Sequence, residues 1–216
     1  MTRANQIGAL ALVISAAGGT LAAHRAPEGL PYYRSAELTP EWLTGEGARK
    51  ATHRIGAFRF TDQHGETVTN AEVSGRIYVA SFFFTTCRGI CPNLYTNLSK
   101  VVAAYRGDSA VMLLSHSVTP ESDSVATLAT YAREHHIEGN QWRLLTGDHE
   151  AVRQIARRSY FVELGDTTGY APGTMFHSET IVLVDRVGHI RGLYDGSLAF
   201  DTARLIDDIA VLKKER

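Results

Sequence analysis

The chain has 216 residues, 44% of them hydrophobic and 21% charged, with 22 Lys+Arg against 23 Asp+Glu and a formal net charge of -1. This is an ordinary globular composition and excludes a disordered, collagen-like or coiled-coil protein. A near-neutral chain has no global basic field for nucleic acid, and no Walker-type or Gly-x-Gly-x-x-Gly run supports a nucleotide. The two cysteines, Cys87 and Cys91, are too few for a disulfide scaffold. A bridge closing so short a loop would add little stability, so their chemistry is the reason to look at them.

The N-terminus carries Arg3 and then, from Ile7 to Ala23, no charged residue. At about 1.5 Å per residue a helix there spans roughly 25 Å, just short of a hydrocarbon core near 30 Å. Small residues crowd its end, so residues 1–23 read as a signal peptide or a membrane anchor. Either way the rest of the chain is expected outside the cytoplasm, in the periplasm or on the outer face of the cytoplasmic membrane. Residues 24–50 hold three of the six prolines and little periodicity, and read as a tether. Tyr32, Tyr33, Leu38 and Trp42 are the residues that would dock it on the domain expected over 51–216.

The domain opens with Ala57–Thr61 and Thr67–Asn70 around Asp-Gln-His-Gly, a hairpin in which Gly65 takes positive φ. Arg76–Phe84 is a nine-residue apolar, β-rich run, a strand buried on both faces. Pro92 to Tyr105 is helical, with Leu94, Leu98, Val101, Val102 and Tyr105 on one stripe and Gly107 as a stop. Ala110–Val118 is a second buried strand, Thr119–Asp123 a turn and Ser124–His136 a helix. Trp142–Thr146 and His149–Ser159 read as strand and helix. Glu179–Asp185 and His189–Tyr194 form an antiparallel hairpin, and Phe200–Lys214 is a closing amphipathic helix. The order β-hairpin, β-α-β-α-β-α, β-hairpin, α is the plan of an α/β thioredoxin-like three-layer sandwich.

The cysteine pair sits in Phe84-Thr-Thr-Cys87-Arg-Gly-Ile-Cys91-Pro92, after the central strand and before a helix. Pro suits the first helical position and disfavours αR in the residue before it, which puts Cys91 at or near the N-cap. The helix dipole is expected to favour a thiolate there. Gly89 lets the loop fold back, so that both sulfurs share an ion or a disulfide. Two thiolates prefer soft or borderline cations such as Cu(I) and Zn(II). Structural cysteines would lie within the strand or on the apolar helix face, whereas these occupy the joint where α/β sheets place their sites. Among nine histidines, His177 is the best third ligand, because it lies in a turn-rich loop just before Glu179–Asp185. In a thioredoxin-like sandwich that loop passes beside the helix-start cysteines. His116, near a strand end, is a lesser candidate to approach the site. His53, His64, His135, His136, His149 and His189 read as turn or surface residues. Met112 and Met175 read as packing residues, Met175 also as a weak axial thioether.

The TDQ-Gly hairpin, the SFFFTTCRGICP segment and the distant FHS before a strand resemble the Sco/SenC family over residues 51–214. The resemblance implies a thioredoxin-like copper-binding protein linked to assembly of the CuA centre of cytochrome c oxidase. Cys87, Cys91 and His177 match the family's copper ligands, for Cu(I), Cu(II) or both. The partner implied is a copper-receiving protein, an oxidase subunit. Two positions depart from the pattern: Phe176 stands where the family has an acidic residue before the histidine, and Thr119-Pro120 replaces Asp-Pro. Both remove carboxylates, which bears on Cu(II) more than on Cu(I). A metallochaperone is the first reading. An extracytoplasmic thiol–disulfide oxidoreductase using Cys87 and Cys91 is the alternative, against which the three-residue spacing counts. A non-catalytic assembly module is the third.

Overall fold

A computed structural model of the protein describes residues 29–50, 53–89, 91–164 and 179–215. The expected exported segment and His177 lie outside these residues. The first strands, β1 (Arg59–Asp62) and β2 (Thr67–Thr69), pair antiparallel around Gly65, whose φ is +79°. Asp62 makes the turn: its Oδ1 accepts the N–H groups of His64 and Glu66 at 2.8 and 2.9 Å.

Strands β3 (Ile77–Phe83), β4 (Val111–Ser117) and β5 (Trp142–Thr146) are parallel neighbours, buried along their whole lengths. That is why each reads as a continuous apolar run rather than an alternation. With β6 (Thr180–Val184) and β7 (Ile190–Asp195) they complete a seven-stranded sheet of order β2-β1-β5-β4-β3-β6-β7. The helices are α1 (Glu46–Arg49), α2 (Asn70–Val73), α3 (Cys91–Ala104), α4 (Val125–Glu134), α5 (His149–Gln154) and α6 (Ala199–Lys214). One face of the sheet packs on α3, α4 and α6 through Leu94, Leu98, Val101, Leu128, Leu205 and Ile209. The opposite face packs on α5 and on Val68 and Val73. Burying each leucine contributes about 1.5–3 kcal/mol before entropy is counted, so the two faces carry the fold.

The sequence-based elements survive with shifted ends. The expected helix His149–Ser159 splits: α5 ends at Gln154 and Ile155–Ser159 is a π-helical turn. There the Tyr160 N–H reaches back five residues to the Ile155 carbonyl at 3.1 Å. The short helices α1 and α2 were not anticipated. Thr69 and Glu72 close a capping box on α2, with the Thr69 N–H 2.6 Å from Glu72 Oε2.

Part of the expected tether contacts the domain, through Leu30, Tyr32 and Tyr33. Tyr33 bridges Ile190 of β7, and Arg191 holds the segment down. Its guanidinium donates to the Leu30 and Pro31 carbonyls, pairs with Glu215 at 2.7 Å and stacks 4.0 Å above the Tyr32 ring. Trp42, also expected to dock, stays 49% exposed. This strap overturns the surface reading of His189, which is 4% exposed beneath it. The His189 Nδ1 lies 3.3 Å from Asp185 Oδ2, with the Tyr32 ring edge-on.

His116 is fully buried among Phe58, Phe60, Phe82 and Tyr160. Burial pushes its pKa down to about 4, with one hydrogen-bonding contact at 3.4 Å, to the Ser81 carbonyl. The unfolded chain therefore takes up this proton near pH 6.5 and the folded one only near 4, so stability falls as pH drops through that window. The loss attributable to His116 is about 3 kcal/mol by pH 4. Urea unfolding of the wild type and His116→Phe at pH 7 and pH 4.5 is expected to show a steeper acid loss in the wild type. Parallel pH profiles would remove His116 from the account.

Candidate metal centre

Strand β3 delivers the chain to the site. After Phe83 the backbone turns, with the Cys87 N–H donating to the Phe84 carbonyl at 3.2 Å. Cys91 then opens α3, one position inside the expected cap. Both cysteines are free thiols. Cys87 is partly exposed, whereas Cys91 is 4% exposed and faces Phe83, Leu94, Tyr95, Leu98, Tyr131, Trp142 and Leu144. Cys87 packs against the same hydrophobic cluster that buries Cys91.

The expected thiolate at the helix start is not what this environment favours. Burial, reinforced by the Cys87 thiol, pushes the Cys91 pKa up to about 12. Desolvation in an apolar niche outweighs the helix terminus and the Phe84 backbone contact. The same niche, with Cys91 and Cys87 close by, raises the Tyr131 hydroxyl.

His116 does not approach this site. Side chains alternate along β4: Ser115 accepts from Trp142 Nε1 at 2.9 Å and Ser117 turns to Asp123, both on the cysteine face. His116 between them points to the other face, as period two requires. His177 and Met175 lie outside the described residues. The chain resumes at Glu179, whose carbonyl accepts from the Gly196 N–H at 2.7 Å. The Gly196 carbonyl in turn accepts from Asn97 Nδ2 at 2.9 Å. A Cβ on Gly196 would lie 2.3 Å from a Leu94 methyl, so this loop is pressed on the first turns of α3. The chain thus re-enters two residues after His177, against the helix that Cys91 begins.

Sequence reasoning missed Asp123, which it assigned only to a turn. Asp123 is 1% exposed, and its carboxylate accepts from Thr85, Ser117 and Thr119. A Thr-Pro turn ending in Asp-Ser before a helix is the only local signal, and it equally fits a cap.

A mixed sheet clad by helices on both faces, with two thiols where its central parallel strand meets a helix, defines a thioredoxin-like protein with a paired-thiol site. A family model described as SCO1/SenC matches residues 46–214. This chain belongs to the SCO1/SenC family. It is 28% identical over 148 residues to the SCO1 protein homolog of Bacillus subtilis, covering 67% of this chain and 75% of that one. The mitochondrial SCO2 homologues of cattle, zebrafish and mouse are matched over 40–44% of their length. Bradyrhizobium japonicum ScoI with copper bound superposes with a TM-score of 0.61 at 27% identity, covering 74% of this chain and 99% of that one. BsSco is a member of the Sco family of cytochrome c oxidase assembly proteins in which a disulfide switch was identified. It shares the fold at a TM-score of 0.64 and 22% identity, over 76% of this chain and 95% of that one.

Proposed function

We propose that this chain carries one copper ion between Cys87, Cys91 and His177 outside the cytoplasm, and delivers it to, or prepares, the CuA site of a respiratory oxidase. The observation that carries the reading is the pair of free thiols at the mouth of the β3–α3 joint, Cys87 packed on the cluster that buries Cys91. Two adjacent soft donors suit Cu(I), and one imidazole completes a three-coordinate site open to an incoming ligand. Glu179, two residues after His177, bonds the Gly196 turn that packs on α3, which supports His177 as that donor. Relatives named for copper and for oxidase assembly supply the cargo and the destination.

Copper is the cargo. Loading requires both cysteines reduced, and each sulfur that ligates gives up its proton, so loading releases protons. Transfer then proceeds by ligand exchange: an acceptor thiolate bonds to copper as one chain sulfur leaves and takes a proton back. A disulfide switch in BsSco supports the second reading, in which Cys87 and Cys91 cycle with a partner disulfide. An anchor in residues 7–23 would hold the protein at the membrane. No helix among the described residues is long and apolar enough to cross one.

Titration of the reduced chain with Cu(I) against a competing chelator tests the reading. One copper per chain is expected. His177→Ala is expected to weaken binding by more than the roughly 10–100-fold typical of losing an outer-shell partner. Unchanged affinity in His177→Ala would remove the histidine. Retained disulfide exchange in that variant without copper binding would favour the redox reading.

A further inference from the structure

A buried carboxylate behind the cysteine loop is unexplained by packing. Asp123 Oδ1 accepts the Thr85 hydroxyl at 2.5 Å. Its Oδ2 accepts the Thr85 N–H at 3.2 Å, the Ser117 hydroxyl at 2.6 Å and the Thr119 hydroxyl at 3.0 Å. No basic side chain is among these donors. Burying a carboxylate is costly unless its oxygens are satisfied, and hydrogen bonds to it are stiffer than neutral ones. The four bonds join three places: the end of β4, the turn that follows it, and the residue just after Phe84.

Phe84 meets the cysteine loop directly: its carbonyl accepts from the Cys87 N–H at 3.2 Å. Held by a neighbour with two bonds to Asp123, Phe84 has little freedom to turn away. We infer that Asp123 is a positioning residue for the thiol pair: through Thr85 it locks the Phe84 carbonyl that holds the Cys87 N–H, and so fixes where Cys87 stands against the cluster that buries Cys91. The effect runs through hydrogen-bond geometry. An asparagine, whose oxygen can take the three-donor position and whose amide can meet the Thr85 hydroxyl, should preserve it.

This deepens the reading of the site proposed above, but its test needs no copper. The full-length reduced, metal-free chain is equilibrated with oxidised and reduced dithiothreitol. Two protein thiols transfer two electrons and two protons to the oxidised reagent, giving a Cys87–Cys91 disulfide and the reduced reagent. Asp123→Ala is expected to lower the equilibrium constant for the bridge about tenfold, equivalent to about 30 mV for two electrons. Thr85→Val, losing one hydroxyl bond, is expected to lower it about threefold, non-additively with Asp123→Ala. Asp123→Asn should remain within about threefold of wild type. A folded Asp123→Ala with the wild-type constant would overturn the inference, and so would an Asn variant shifted as far as the Ala variant. If Asp123→Ala does not fold, an unshifted Thr85→Val overturns it. Loss of copper binding in His177→Ala bears on the cargo and leaves this result where it stands.

Discussion

Cys91→Ser is expected to abolish copper retention against a competing chelator, and Cys87→Ser to do the same. A serine hydroxyl is a hard, weakly acidic donor, so each variant loses the soft ligand and leaves a two-coordinate remnant. Their stabilities should differ. Cys91 lies 4% exposed among Phe83, Leu94, Tyr131 and Leu144, and a hydroxyl there costs about 1–3 kcal/mol of unfolding free energy if unpaired. Cys87 is partly exposed, and its serine variant should unfold close to wild type. Equal loss of copper with unequal loss of stability separates binding from folding. Because the Cys91 thiol holds its proton up to about 12, wild-type affinity should rise with pH, about tenfold per unit for this proton. Full copper retention in Cys87→Ser would end the chaperone reading.

Arg143→Met is expected to destabilise the fold by about 3–5 kcal/mol in urea unfolding. Asp62 is fully buried at the end of β1 and forms an ion pair with Arg143 on the adjacent β5; Arg143 also reaches Glu66 at 2.8 Å. Removing the guanidinium strands a carboxylate whose remaining partners are the hairpin N–H groups of His64 and Glu66. The double variant Asp62→Asn with Arg143→Met should recover much of the loss, because the desolvation cost disappears with the charge. A loss under about 1 kcal/mol in the single variant would mean that water reaches Asp62. Trp142 and Leu144 pack on the cysteine side of the sheet and Arg143 between them turns to the other face, so this tests the scaffold apart from the site.

The comparison of sequence and structure divides along periodicity. The buried strands β3 and β4 and the stripe of α3 were legible because period and apolar content are local properties of the chain. The same period two, applied to β4, sends His116 away from Ser115 and Ser117, so nearness to the strand end does not bring it to the site. His189 was misread because what covers it comes from more than 150 positions away, in the strap held by Arg191. The Cys91 thiol was misread because the dipole argument considers only its own helix, while its burial depends on side chains from β3, β5 and α4.

The residues alone determined the order of the strands and of α3 to α6, the thiol pair at a strand–helix joint and the family to which they belong. Those follow from hydrophobic period, turn chemistry and spacing, all of which act over a few residues. Only the folded chain decided which sulfur is buried, that Asp123 grips the loop from the turn after β4, and that the strap seals His189. Burial and hydrogen-bond partnership are properties of which distant segments meet, and no local pattern encodes them.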